Sequence, residues 1–287
     1  MTTAPAPTRT LVPQRRGRAR GWGWILTTLT WLITFFAIFP IGWMVFTAFK
    51  SEKDASTSPP TFFVRLGLDQ FVAVFDSGFV GYFINSVTAS VLSTLFVLLL
   101  AVPAAYGLSV RPVGKWRDLL FFFISTKFMP LAASIIPLYL VLQALGGLDN
   151  VLALSVLYVS INLPLAIWMM RSFLSEVPRE IVEAAQMDGA GLRREMSSIV
   201  MPIVAPGIAA TALICVIFAW NEYFLATIIT TSIARTTPPF LGSFVSGRGQ
   251  FLAVLSAAST LAIIPVVAAG WVAQKWLVRG LAMGAVK

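Results

Sequence analysis

The sequence predicts an all-α integral membrane protein with six transmembrane helices and both termini in the cytoplasm. Three observations lead there. The 287 residues are 57% hydrophobic and only 11% charged, where an ordinary soluble domain carries about 25% charged residues. Long apolar runs almost free of charge recur along the chain. The lysines and arginines gather in alternate connections between those runs. A mean hydropathy of +0.84 would leave a soluble globule of this size with too little polar surface. A soluble enzyme, a disordered chain and a nucleic-acid-binding domain are therefore excluded.

The runs are counted against a hydrocarbon layer about 30 Å thick, which needs roughly 20 helical residues. They are Ile25 to Thr47, Tyr82 to Val110, Leu119 to Leu142, Val151 to Met170, Pro202 to Ile228 and Phe251 to Trp271. The first is too long for a signal-peptide core and lacks a clear cleavage site, so it reads as a retained span. Pro103 interrupts the second run, and Pro130, Pro137, Pro164, Pro206 and Pro265 mark the others. Such bends are tolerated where neighbours or water satisfy the freed carbonyls. The third run carries Lys127, and the fifth carries Glu222 near its far end.

Orientation follows from the basic residues. Residues 1–24 form a basic tail, expected to be disordered, with Arg15, Arg16, Arg18 and Arg20 near lipid headgroups. Together with the connections 111–118 and 171–201 and the C-terminal end, that side holds 15 Lys and Arg. The opposite side, with the connections 48–80 and 229–250, holds 5. The positive-inside rule puts both termini in the cytoplasm. The net charge of +9 thus reads as membrane orientation, with the bilayer as partner and no nucleic acid.

Site chemistry is limited by what the chain lacks. It has no His, which removes imidazole bases, His-ligated zinc and histidine pH switches. The single cysteine, Cys215, lies in an apolar run and cannot form an intrachain disulfide. There is no Gly-x-x-x-x-Gly-Lys-Ser/Thr phosphate loop, and Gly247-Arg248-Gly249 is too short a match. No cofactor or metal is expected on this chain.

The 171–201 connection is the informative one. Pro178 suits a first helical turn, and Glu180 and Glu183 lie near that helix's positive end. Ile181, Ala184, Ala185 and Asp188 continue at helical spacing to about Asp188. Gly189 and Gly191 permit a turn. In a second short helix, Leu192, Met196 and Ile199 share an apolar face, with Arg193, Arg194 and Glu195 decorating the other. Two such helices are too short to span. They either lie on the membrane interface or project to dock into another protein.

Glu183-Ala184-Ala185, three residues, Gly189, nine residues, then Ile199-Val200-Met201-Pro202 resembles the EAA loop of bacterial ABC-importer permeases. Met201 stands where that pattern usually has Leu. The likeness extends over nearly the whole chain and is greatest to the MalG-like branch of carbohydrate importers. Asn85-Ser86, Asn162-Leu163-Pro164, Trp220-Asn221-Glu222 and the tail Val278 to Lys287 carry it further.

The resemblance implies a type I ABC importer permease fold. Residues 25–47 would be an added first helix, 48–80 an extracytoplasmic loop, 81–277 a five-helix core and 278–287 a cytoplasmic tail. It implies a non-catalytic subunit in the bacterial cytoplasmic membrane. The implied partners are a second, homologous permease in a heterodimer, two copies of a cytosolic ATPase that use ATP and Mg, and an extracytoplasmic binding protein delivering a sugar or sugar alcohol. Glu183 would be the charged contact with the ATPase, Ala184, Ala185 and Gly189 its close-packing surface, and Asp188 and Arg193 rim contacts. Asn85, Asn162, Trp220, Asn221 and Glu222 are candidates for the translocation path.

Two other readings stand beside this one. A stand-alone ion-coupled secondary transporter needs acids or broken helices near the midplane, and five of the six spans hold no acid. An intramembrane enzyme needs a His, an Asp pair or a Ser–base arrangement in the membrane, and none is visible.

Overall fold

The structure, a computed structural model, describes residues 20–111, 113–246 and 249–284. Most of the basic tail, Gly247-Arg248 and the last three residues lie outside these. The chain divides into two units, Met1–Phe46 and Thr47–Lys287.

The first unit is built on helix α1, Arg20–Thr47. Trp24, Trp31, Phe35 and Phe36 stand exposed along it. Phe39 packs against Phe35 and stacks on Trp43, with ring centroids 6.0 and 6.3 Å apart. A helix this apolar, whose backbone groups pair internally except at its ends and opposite Pro40, is suited to lipid.

The second unit begins with two short helices, α2 (Glu52–Ala55) and α3 (Asp69–Asp76). Helix α4 follows at Phe79–Ser109 and runs unbroken through Pro103, where the sequence predicted an interruption. Helix α5 (Trp116–Ser125) passes through a 3-10 turn, Thr126–Phe128, and α6 (Leu131–Ala144) continues from it after a bend of 89°. The single span expected at Leu119–Leu142 is thus a broken pair. Met129 and Pro130 are extended at the break, and Pro130 disfavours helical backbone in the residue before it.

Helix α7 (Val151–Leu174) is capped by Asn150, whose Oδ1 accepts the amides of Leu152 and Ala153 at 2.8 and 3.2 Å. Then come α8 (Arg179–Met187), α9 (Leu192–Arg194) and a π-helical turn at Glu195–Val200. That turn leads directly into α10 (Met201–Trp220), and α11 (Phe224–Ile229) and α12 (Thr237–Gly242) follow. A two-residue antiparallel pair, β1 (Val245–Ser246) and β2 (Gly249–Gln250), precedes α13, Leu252–Gly284. Among the described residues, five helices are long and apolar enough to cross a membrane, or six spans if the bent pair counts as one.

Helices α4, α7 and α10 pack together at the centre of this unit, and α13 packs on α10. At Gly207, α10 lies close against Phe173 of α7. A Cβ there would stand 2.3 Å from the Phe173 ring, inside any tolerable contact. The connection 48–80 contributes a remote cap: Glu52 accepts the amides of Ala253 and Val254 at 3.1 and 2.8 Å, satisfying two donors that α13 cannot pair internally.

Candidate coupling site and outer gate

Helix α8 ends as the sequence predicts, and the geometry gives the reason. Gly189 has φ +74°. Its amide donates to the Gln186 carbonyl at 3.0 Å, and the Ala190 amide donates to that of Ala185 at 2.9 Å. This is a Schellman closure, which needs a left-handed residue one position past the cap. A Cβ on Gly189 would meet nothing within 4 Å, so glycine serves the backbone conformation here.

The faces of α8 differ from expectation. Val182 and Ala185 turn inward, Ala185 being only 6% exposed, while Ile181 is exposed. Val182 joins a core with Val102, Tyr106, Met170, Leu174, Val200 and Val204. The 171–201 connection is thereby fastened to α4, α7 and α10 together. Glu183, Ala184, Asp188, Gly189 and Arg193 lie on the outside and are exposed. Ala185 therefore supports this surface from beneath and is not part of it.

Glu195 corrects the sequence reading, which placed it on the polar face. It is 0% exposed. Its carboxylate accepts a short hydrogen bond from the Tyr106 hydroxyl, one from Arg111 Nη2 at 2.5 Å and one from Gln186 Nε2 at 3.3 Å. A buried carboxylate is tolerable only when paired and hydrogen-bonded, and here the side chains of Tyr106, Arg111 and Gln186 converge on it. Tyr106 lies near the end of α4, Arg111 just beyond it, and Gln186 in α8. One side chain at the head of the π-helical turn thus ties the end of α4 to α8.

Beside this latch lies a cavity of about 430 Å³, bordered by Trp116, Arg171, Arg179, Glu183 and Gln186. The Arg171 guanidinium sits 4.1 Å from the Trp116 ring centroid, within cation–π range. Among the described residues no cluster of His, Cys, Asp or Glu is positioned to hold a metal ion.

The five candidate path residues are held in different ways. Asn85 donates from Nδ2 to the carbonyls of Ile233 and Arg235 at 2.7 and 3.0 Å. Glu222 accepts the amides of Leu225 and Ala226 at 2.9 and 3.0 Å, capping α11. Trp220 is buried edge-on to Phe83, centroids 5.7 Å apart. Asn221 is exposed and bonds the Ile217 carbonyl of its own helix. Asn162 is 1% exposed, and its Nδ2 has no partner.

A residue absent from the sequence reading organises the end of the bundle where Asn85 and Glu222 sit. Asp149, at φ +50°, accepts the amides of Thr231, Ile233 and Ala234 at 2.9–3.0 Å and the Thr231 hydroxyl at 2.9 Å. Burial disfavours its charge, but the amides of Ile233, Ala234 and Thr231 and the Thr231 hydroxyl outweigh that and hold the carboxyl far below its ordinary range. Asp149 and Asn85 together pin 231–235 across the ends of α4 and α7.

Residues 77–283 match the family model described as the binding-protein-dependent transport system inner membrane component. The chain belongs to that family. It is therefore a multi-pass permease component of an inner-membrane, binding-protein-dependent ABC importer. A probable ABC transporter permease of Sinorhizobium fredii, y4oR, is 37% identical over 265 residues, 92% of this chain and 95% of that protein. The trehalose/maltose permease MalG of Thermococcus litoralis is 31% identical over 262 residues, covering 89% and 94%. In the crystal structure of a bacterial ABC transporter for the acidic polysaccharide alginate, one chain shares the fold. Its TM-score is 0.73 at 23% identity, with 93% of this chain and 100% of that one covered.

Proposed function

We propose that this importer permease moves a sugar or sugar alcohol across six spans with both termini in the cytoplasm, and that α8 and α9 seat on a cytosolic ATPase. The carrying observation is the exposed edge of Glu183, Ala184, Asp188, Gly189 and Arg193 on a support welded to α4, α7 and α10. Glu183 is the charged contact. Ala184 and Gly189 allow close approach, and Asp188 and Arg193 meet the rim. The positive-inside count supports the orientation. Relatives such as the trehalose/maltose permease support the substrate class.

The complex holds this chain, a second and homologous permease, two ATPase copies that bind ATP and Mg, and an extracytoplasmic binding protein. Closure of the ATPase dimer draws the docked α8 inward. The Glu195 latch passes that displacement to α4, and the π-helical turn passes it to α10. The pinned 231–235 segment is the outer gate that this movement releases. Only a ligand with different affinity for the two states can shift them, and ATP on the partner supplies that difference. Asn85 and Glu222 serve the gate, and Asn162 faces the moving α7 core. The experiment is uptake by proteoliposomes of the co-purified complex. Uptake that needs both ATP and the binding protein supports the reading. Uptake driven by an ion gradient without ATP overturns it.

A further inference from the structure

We infer that the break between α5 and α6 forms a binding subsite for the hydroxyl groups of a neutral carbohydrate or polyol, with Lys127 as its anchoring donor; this rests on the importer reading above. Four observations meet at one place. The helix pair bends by 89° within an otherwise membrane-spanning length. Irregular backbone at membrane depth persists only where protein covers it or where it lines a wet cavity. A cavity of about 580 Å³ lies along the break, within the size range of small-molecule sites. Among the residues lining it are Thr126, Lys127, Ser134 and Ser160, with Pro137 and Pro164, and no carboxylate.

Lys127 is the single basic residue within the six spans read from the sequence. A cation at that depth marks a functional path by default. Its Nζ donates to the Ile161 carbonyl at 2.7 Å. An ammonium has three donors, so two remain for a ligand oxygen.

The hydroxyls define the rest of the chemistry. Thr126 Oγ1 donates to the Phe123 carbonyl at 2.7 Å, and Ser160 Oγ donates to that of Leu157 at 2.7 Å. With their protons committed, both oxygens can only accept. Ser134 Oγ is buried without a partner. The wall therefore offers a donor from Lys127 and acceptors from Thr126 and Ser160. A carboxylate or sulfonate would satisfy only the donor. A run of hydroxyls satisfies both sets, and Pro137 and Pro164 give the apolar surface that a sugar's C–H face packs on.

The test uses the assembled complex in proteoliposomes, first shown to contain the ATPase and to take up glucose, mannitol, maltose or trehalose with ATP. In a C215A background, K127C and separately S160C are reacted with a charged, water-soluble methanethiosulfonate. S160C keeps Lys127 in place and reports if K127C disrupts the assembly. The proposal expects labelling of either cysteine from water, slowed several-fold by the transported sugar and not by an equal concentration of sodium glucuronate. Labelling that is absent, or unaffected by the transported sugar, overturns the subsite while the importer reading stands. Protection by glucuronate alone overturns the neutral class. A preparation without ATPase or ATP-driven uptake overturns the reading on which the subsite rests.

Discussion

Replacing Arg111 with Met strands a charge where water cannot reach it. Glu195 is 0% exposed and would keep its Tyr106 and Gln186 donors but lose its countercharge. Breaking a fully buried pair costs about 3–5 kcal/mol. The Arg111 side chain is 44% exposed, so the loss at Glu195 is discounted for screening to roughly 2–3 kcal/mol. E195Q removes the charge itself, retains an acceptor for Tyr106, and should cost about 1 kcal/mol. In the R111M/E195Q double variant no buried charge remains, so its cost falls below the sum of the two by about 2–3 kcal/mol. The assay is thermal unfolding of the purified complex in one detergent, with all four proteins scanned together. The Tm order should be wild type, E195Q, the double variant close to it, then R111M lowest. Strict additivity within about 0.5 kcal/mol, or an R111M no worse than E195Q, would refute the latch.

Three further outcomes follow from single positions. G189A places a Cβ at φ +74° and should destabilise the α8 terminus by about 1–2 kcal/mol, read as faster amide exchange at Gly189 and Ala190 with the transmembrane helices unchanged. G207V, whose Cβ starts 2.3 Å from Phe173, should lower membrane accumulation sharply, and G207V/F173A should recover part of it if the clash is the cause. D149N should expose the Thr231, Ile233 and Ala234 amides to exchange at neutral pH. In the wild type the Asp149 carboxyl is held below its ordinary range of about 4. Its stabilisation is fully present above that unfolded value and lost only as pH falls through the lower folded one. Protection of these amides should therefore persist from neutral pH down to about pH 4; loss between pH 6 and pH 5, where no carboxyl of this kind titrates, would contradict the assignment.

The long apolar helices and the end of α8 were legible because they follow local rules, although the run Pro202 to Ile228 is divided between α10 and α11. Uncharged runs of sufficient length mark the long helices, and Gly189 marks a cap that only a left-handed residue completes. The broken third span was half visible: Pro130 was noted, but proline alone does not say whether a helix kinks or stops, as the unbroken passage through Pro103 shows. Glu195 was misread although its position carried a signal. Leu192, Glu195, Met196 and Ile199 share one helical face, so the glutamate interrupts the apolar stripe and does not oppose it. What the sequence withheld was the partner, Arg111, 84 residues away and credited there only with orientation. Asp149 was hidden for the same reason, since its ligands are backbone amides of a distant segment, and amides carry no sequence signature. The five path candidates were chosen by residue type. The polar atoms of Asn85, Asn221 and Glu222 proved to be engaged with the 231–235 segment, α10 and α11, while Asn162 Nδ2 is orphaned.

The most direct measurement of the central claim is affinity isolation of this chain from its native membrane in mild detergent, wild type beside E183R, with every co-purifying protein identified and quantified. The account predicts a second permease at equal amount in both samples, and an ATPase retained by wild type and lost from E183R, because Glu183 stands exposed on the docking edge while the membrane-embedded helices are untouched. Isolation of the wild-type chain without an ATPase, or equal retention of the ATPase by E183R, would contradict it.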